Sequence, residues 1–138
     1  MKPLIAFCAA FLTGCATVPP PAGSASRAAA LDGSVWELPD AGAGRPVTLE
    51  FRTRDGGALM VGGYDGCNRF NGPAELGEGE AIRFERLALS RMACLGNTGA
   101  IERRVQGALQ AARAMRVEGA SLNLLGADGQ NLLAFRRQ

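Results

Sequence analysis

The chain has 138 residues, and its 15 basic and 13 acidic side chains leave a formal net charge of +2. Histidine is absent, which excludes histidine-based metal sites and any Ser-His-Asp or Cys-His nucleophile arrangement. The charges are nearly balanced and form no basic patch of the size that nucleic-acid binding uses. We therefore expect no catalytic residue, no metal, no cofactor and no nucleic-acid partner.

The N-terminal segment predicts a signal for lipid attachment. Lys2 precedes an apolar stretch over Pro3–Phe11. This stretch is about ten residues long, whereas a bilayer span needs roughly 20, so its length fits a signal peptide. It is followed by Leu12-Thr13-Gly14-Cys15, which resembles the lipobox of bacterial lipoproteins. That resemblance implies cleavage before Cys15 and acylation of its sulfur. The alternative is an ordinary secretory signal in which Cys15 is incidental.

A lipid anchor at Cys15 would place the protein in the bacterial cell envelope, because two or more acyl chains hold a protein stably at a membrane. Ala16, rather than aspartate, follows the cysteine, and by resemblance to Gram-negative sorting patterns this favours the outer membrane, facing the periplasm. Residues 1–14 are then the signal peptide, and residues 15–30 are the lipidated N-terminus and a tether. The tether holds three consecutive prolines and otherwise mostly small residues, so we expect a flexible, extended segment.

Residues 31–138 suit one compact, monomeric domain. Short segments of alternating apolar and polar residues predict strands, and Asp-Gly turns at 55–57 and 127–130 predict two hairpins. The segment 72–80 is rich in Gly and Glu and predicts a loop, and a change of phase predicts a bulge at Glu85-Arg86. In chain order, the predicted strands cover 34–38, 47–52, 58–63, a segment with Ile82 and Phe84, 115–118, and two last segments with Leu122, Leu124, Leu132 and Phe135.

One amphipathic helix is predicted, with Asn97 or Thr98 as its N-cap. Its apolar residues repeat at helical spacing and define one face, which consists of Ile101, Val105, Ala108, Leu109 and Ala112. The predicted fold class is α+β: mostly antiparallel β, as a small closed or cracked barrel-like sheet of about seven or eight short strands with one packed helix.

The four cysteines have separate predicted fates. Cys8 leaves with the signal peptide, and Cys15 carries the lipid. Cys67 and Cys94 remain, and a disulfide between them is the simplest outcome in an oxidising compartment. Its loop of about 28 residues would stabilise the fold by roughly 3.5 kcal/mol. The alternatives are two free thiols or a redox-active pair, although the latter has no Cys-x-x-Cys spacing to support it.

The segment 66–72, Gly-Cys-Asn-Arg-Phe-Asn-Gly, predicts a hydrogen-bonded turn pinned by Cys67. Its two glycines permit positive φ, its two asparagines can bond the local backbone, and its phenylalanine can enter the core. The alternative is a binding site in which Arg69 contacts an anion. The candidate site residues of this turn are Gly66, Asn68, Arg69, Phe70, Asn71 and Gly72.

Four segments together resemble the META-domain family of HslJ-like bacterial proteins. Leu31–Leu38 is similar to the family's opening Leu-x-Gly-Ser/Thr-x-Trp-x-Leu, and 66–72 to its core Gly-Cys-Asn-Arg-Phe-x-Gly. Ser90–Cys94 resembles Thr-x-Met-x-Cys with serine in place of threonine, and Leu122–Phe135 resembles the closing hairpin. Pro73-Ala74 departs from the family, because an aromatic residue is common shortly after the core motif.

The resemblance implies no catalytic residue, because no enzymatic activity is attached to the family. Family members are linked to heat-inducible expression, to novobiocin resistance and, in a protozoan relative, to virulence and secretion. The fold is similar to that of a lipoprotein pilot for secretins, which is a cracked barrel with a lipid-accepting interior. We therefore expect a non-enzymatic envelope lipoprotein with a stress-linked or resistance-linked interaction or structural role, and an envelope protein as its partner.

The main alternative is a lipid- or peptide-binding module, acting like a pilot or chaperone through a barrel cavity. An interior filled by Trp36, Phe51, Phe84 and Phe135 would contradict it, whereas an apolar cavity would support it. An enzyme is a third reading and would need paired carboxylates, for which the segment 75–80 offers Glu75, Glu78 and Glu80. A solvated acidic loop is the simpler interpretation of those three residues.

Overall fold

The computed structural model describes residues 22–138, so the predicted signal peptide, Cys15 and the first part of the predicted tether lie outside the described residues. Over the described range the chain forms two helices and nine strands. The helices are α1 (Ala22–Leu31) and α2 (Gly96–Ala111). The strands are β1 (Val35–Leu38), β2 (Val47–Thr53), β3 (Leu59–Tyr64), β4 (Arg69–Leu76), β5 (Ile82–Phe84), β6 (Ala88–Leu89), β7 (Ala114–Glu118), β8 (Ser121–Leu125) and β9 (Asn131–Arg137). None of the described helices has the length and apolar character needed to cross a bilayer.

The strands form one antiparallel sheet that curls into a nearly closed barrel. Its order is β5-β4-β3-β2-β1-β9-β8-β7, and β6 pairs with β4 beside this path. The two edge strands meet at one end of a seam, where the Met115 N–H donates to the Glu80 carbonyl at 2.8 Å and the Ile82 N–H to the Arg113 carbonyl at 3.1 Å. The rest of the seam is unsealed. The predicted fold class is confirmed.

The interior of the barrel is filled by side chains. Trp36, Phe51 and Phe135 are at most 1% exposed, and Phe84 is 9% exposed. They pack with inward-facing Leu, Val and Ile residues from strands around the barrel into a single core. The main grooves formed by residues 22–138 lie at the surface. This packing speaks against the alternative of a module with a ligand cavity inside the barrel, because aromatic side chains occupy that space.

Helix α2 packs the apolar face that its spacing predicts. Ile101, Val105, Ala108 and Leu109 are buried along the helix, and Ala112 is buried directly after its end. The predicted N-cap is wrong. The helix begins one residue after Leu95, while Thr98 bonds back to the Leu95 carbonyl at 2.8 Å and Asn97 donates to the Gly42 carbonyl at 3.0 Å. The Asn97 side chain is thus engaged in a tertiary contact, and that of Thr98 in a local bond, so neither caps the helix.

Helix α1 corrects the prediction of a flexible tether for residues 22–30, whereas residues 15–21 lie outside the described range. The helix begins at Ala22 and buries Ala28 and Leu31 against the core. Arg27 donates to the carbonyls of Gly77 and Ala81, each at 3.3 Å. Alanine favours helix, but a helix this short gains most of its stability from packing, and a sequence of small residues does not display that packing.

Strand β4 corrects two further predictions. It begins at Arg69, inside the predicted turn, and runs to Leu76, inside the predicted loop. Pro73 is compatible with the strand because its missing N–H faces the break between β5 and β6, where its carbonyl accepts the Glu85 N–H at 3.3 Å. The predicted irregularity at Glu85-Arg86 is confirmed, since Arg86 has a φ of +45° and separates β5 from β6.

The last hairpin forms as predicted, but the buried face of β9 differs. Leu133 and Phe135 point into the core, whereas Leu132 is only partly buried. The pairing of β8 with β9 shifts between Leu124 and Leu125. One such shift exchanges which residues of a strand face the core, because side chains alternate with a period of two.

Candidate functional site: a buried polar corner

The turn between β3 and β4 is closed by Asp65, which is completely buried. The Asp65 carboxylate accepts the N–H groups of Cys67, at 3.1 Å, and of Asn68, at 2.6 Å. The Asp65 N–H donates to the Asn68 carbonyl at 3.0 Å. Sequence reasoning missed Asp65, although an aspartate that bonds the backbone two residues ahead is a known turn signal.

Asn68 is the centre of this corner and is 1% exposed. Its Oδ1 accepts the Ser90 hydroxyl at 3.0 Å and the Met92 N–H at 2.6 Å. Its Nδ2 donates to Glu102 Oε1 at 3.0 Å and lies 3.2 Å from Cys94 Sγ. One amide therefore joins the turn, the 90–94 loop and helix α2, and both its oxygen and its nitrogen are engaged.

Helix α2 holds the corner from a second direction. Gln106, one turn after Glu102, donates from Nε2 to Asp65 Oδ2 at 2.8 Å. Both oxygens of the buried carboxylate are thus bonded, and a carboxylate so enclosed presents no oxygen to a substrate. The arrangement is that of a structural polar network, whose value lies in complete satisfaction of its members.

A disulfide between Cys67 and Cys94 closes the corner, with the two Cα atoms 5.9 Å apart. The predicted pairing is present, in place of two free thiols. The two sulfurs and the Glu102 carboxylate lie within 4.8 Å of one another, which resembles a metal-binding set. A disulfide offers no thiolate, and thiolate is the form in which cysteine binds a metal.

The structure divides the candidate residues of the 66–72 segment between the corner, the core and the surface. Gly66 and Asn68 belong to the corner, and Phe70 is 2% exposed in the core. Arg69 and Asn71 are exposed on the outer face of β4. Gly72 does not adopt the positive φ that glycine permits. A Cβ there would lie 2.8 Å from Leu87 Cδ2 and 3.2 Å from the Glu85 carbonyl oxygen, so this position has little room for a side chain.

Replacing Gly66 with alanine should destabilise the domain by about 2–3 kcal/mol. Gly66 has a φ of +103°, and an added Cβ would lie 2.5 Å from Ile101 Cγ2. Gly107 offers the matched control, because it lies in α2 with open space around the added atom. Gly107→Ala should stabilise by about 0.5–1 kcal/mol. Urea titration of both variants measures the two effects, and equal stabilities would contradict the expectation.

Arg69 lies beside a shallow groove of ≈ 420 Å³ on the outer face of β2, β3 and β4. Arg52, Arg54 and Glu50 also line it, so its charge is positive. Anion contact by Arg69 stays a prediction.

The contacts among residues 22–138 show no pair of carboxylates facing each other in the 75–80 segment. Glu75 and Glu78 are exposed, and Glu80 forms a salt bridge with Arg116 at 2.8 Å.

Comparison with known proteins identifies the family. The META domain family matches residues 28–138. The chain belongs to the META-domain family. The match begins inside α1, so the last turn of this helix lies within the region that the META family matches. No curated protein matches the chain significantly.

Two solved structures share the fold of this META domain. One is the NMR structure of a protein from Burkholderia xenovorans, with 25% identity and a TM-score of 0.63, over 94% of this chain and 99% of that one. Another NMR structure has 22% identity and a TM-score of 0.60, over 79% of this chain and 92% of that one. The second likeness concerns the fold alone.

Proposed function

We propose that this protein is a non-enzymatic lipoprotein of the bacterial cell envelope. Its META domain serves an interaction or structural role that is linked to stress or resistance. Acylated Cys15 anchors it in the outer membrane, and the domain, a monomer, faces the periplasm and contacts an envelope protein.

The disulfide between Cys67 and Cys94 is the observation that best supports this proposal. Disulfides persist in oxidising compartments such as the periplasm, which is where the Leu12–Cys15 motif would deliver the chain. The polar corner supports a non-enzymatic role, because its buried carboxylate and amide are engaged in holding the turn to α2. The filled interior leaves the surface as the place for an interaction.

Cys15→Ser should abolish lipid attachment. Labelling growing cells with a palmitate analogue and weighing the purified protein tests this directly, because acylation adds both label and mass. Cys8→Ser is the matched control: Cys8 lies inside the predicted signal peptide, so this variant should be labelled and processed like the parent. An unchanged acylated mass in the Cys15 variant would refute the anchor, and so would a parent protein that carries neither label nor added mass.

Fractionation of envelope membranes tests the predicted location. We expect the parent protein to sediment with the outer membrane and its domain to be digested by protease only after the outer membrane is opened. Recovery with the inner membrane would contradict the sorting role inferred for Ala16.

A further inference from the structure

Strand β7 pairs with β8 on one side, but among residues 22–138 no strand pairs with its second half on the seam side. Met115 bonds Glu80 across the seam, but the chain before Glu80 folds back on itself. Gly77 donates to the Ala81 carbonyl at 3.0 Å, and Ala81 to the Glu78 carbonyl at 3.1 Å. The backbone that could have continued the pairing is therefore curled into a turn, away from the second half of β7.

Val117 is the position on β7 that this turn leaves open. Backbone groups of successive residues in an antiparallel strand point alternately to its two sides. Because the Met115 N–H points across the seam, the N–H and carbonyl of Val117 point the same way, while β8 lies on the other side. The Val117 side chain is 43% exposed, which is unusual for a large apolar residue of this domain.

A groove of ≈ 300 Å³ lies directly beside this open edge. Its apolar lining includes Leu31, Trp36 and Met115, which the core holds in place. Residues of α1, of the turn at Gly79 and of β7 form its walls. The groove thus combines an apolar surface with an unpaired strand edge, which is the combination that binds extended peptides.

The charges around the groove favour a negatively charged occupant. Three arginines line it, Arg27, Arg116 and Arg137, against one carboxylate, Glu80. The Arg116 guanidinium holds the pKa of Glu80 below its usual range, so this carboxylate stays ionised and committed to Arg116. Burial lowers the pKa of Arg27, and among the described residues its Nη2 has no hydrogen-bond acceptor.

We propose that this groove binds an extended, carboxylate-bearing segment of a partner protein, which pairs with Val117 as an added strand. The segment's backbone would accept from and donate to Val117, an apolar side chain would contact the groove lining, and a carboxylate would meet the exposed Arg137. A lipid could contact the apolar lining of the groove, but it has no peptide backbone to pair with Val117. The unpaired strand edge therefore favours a protein segment over a lipid. This inference deepens the proposed interaction role, and it does not depend on the anchor at Cys15.

Selection of short random peptides against the purified full-length chain tests the proposal. We expect enrichment of peptides that alternate β-branched residues with Asp or Glu. Val117→Pro should weaken their binding at least about tenfold, because proline removes the N–H but is tolerated at a strand edge. Val117→Thr is the matched control, since it keeps the N–H and the side-chain shape, and it should bind nearly as the parent does. Peptides of no shared pattern, or equal binding by both variants, would overturn the proposal.

Amide exchange on the unaltered chain keeps the test decisive if Val117→Pro fails to fold. The Val117 N–H should exchange more slowly once a selected peptide is bound, and an unchanged rate would overturn strand pairing.

Arg137→Gln tests the contact with a carboxylate. This variant should weaken the binding of an Asp-containing peptide more than that of the same peptide with Asn in place of Asp. Equal weakening of both would overturn the charge argument. Palmitate labelling of the same preparation reports on the anchor separately, so failure of one proposal is distinguishable from failure of the other.

Discussion

Replacing Asn68 with alanine should destabilise the domain by about 3 kcal/mol. The substitution removes a side chain that is 1% exposed, and it leaves the Met92 N–H and the Glu102 carboxylate without the partner that Asn68 supplies. A hydrogen bond contributes about 1 kcal/mol net, so the loss of the three bonds to Ser90, Met92 and Glu102 accounts for the effect. Urea unfolding monitored by tryptophan fluorescence measures it, since Trp36 is the single tryptophan and lies in the core.

Asn71 provides the control for this substitution within the same motif. It is exposed on β4, so Asn71→Ala should change the free energy of unfolding by less than about 0.5 kcal/mol. The thiols should stay blocked in both variants, which labelling without reductant checks. Equal losses at the two asparagines would show that the corner is not the source of the stability assigned to it.

Removing the disulfide should cost roughly 3.5 kcal/mol of stability. Cys67 and Cys94 are separated by 27 residues, and closing a loop of that length restricts the unfolded chain by about this amount. The double replacement of both cysteines by serine, compared with the parent in urea, measures the loss. The physical reason lies mainly in the unfolded state, so the folded sheet and α2 should keep their circular dichroism signal in the absence of urea.

Treatment with a reductant distinguishes the effect of breaking the disulfide from the effect of replacing the two cysteine side chains. Dithiothreitol should lower the unfolding midpoint of the parent nearly to that of the double variant, and it should leave the variant unchanged. A parent that is insensitive to reductant and labels readily with a thiol reagent would contradict the disulfide.

The two asparagines of the core motif show how far local reasoning reaches. Composition and spacing mark Asn68 and Asn71 equally, as residues suited to turns. Their environments separate them, because Ser90, Met92 and Glu102 surround only Asn68. Those partners lie between 22 and 34 residues away along the chain, so no local pattern could reveal which asparagine is buried.

The N-terminal boundary of the domain is a second feature that local sequence patterns did not predict. Small residues without apolar periodicity predict a tether, yet residues from Ala22 onward form α1 and bury Leu31. The helix is stable because Ala28 and Leu31 pack against the core, and this packing exists only in the folded chain. The open edge at Val117 likewise depends on where the 77–81 turn leaves the sheet, which no strand pattern indicates.

Residue types and side-chain alternation were enough to predict the periodicity of most strands and the apolar face of α2, and they favoured a disulfide between the two remaining cysteines. The sequence also carried the motif of the META domain. Tertiary structure alone decided that α1 packs, that Asp65 and Asn68 form one network, that aromatic side chains fill the barrel and that β7 keeps an open edge. Each of these depends on contacts between distant segments, and their free energy exists only when the chain has folded.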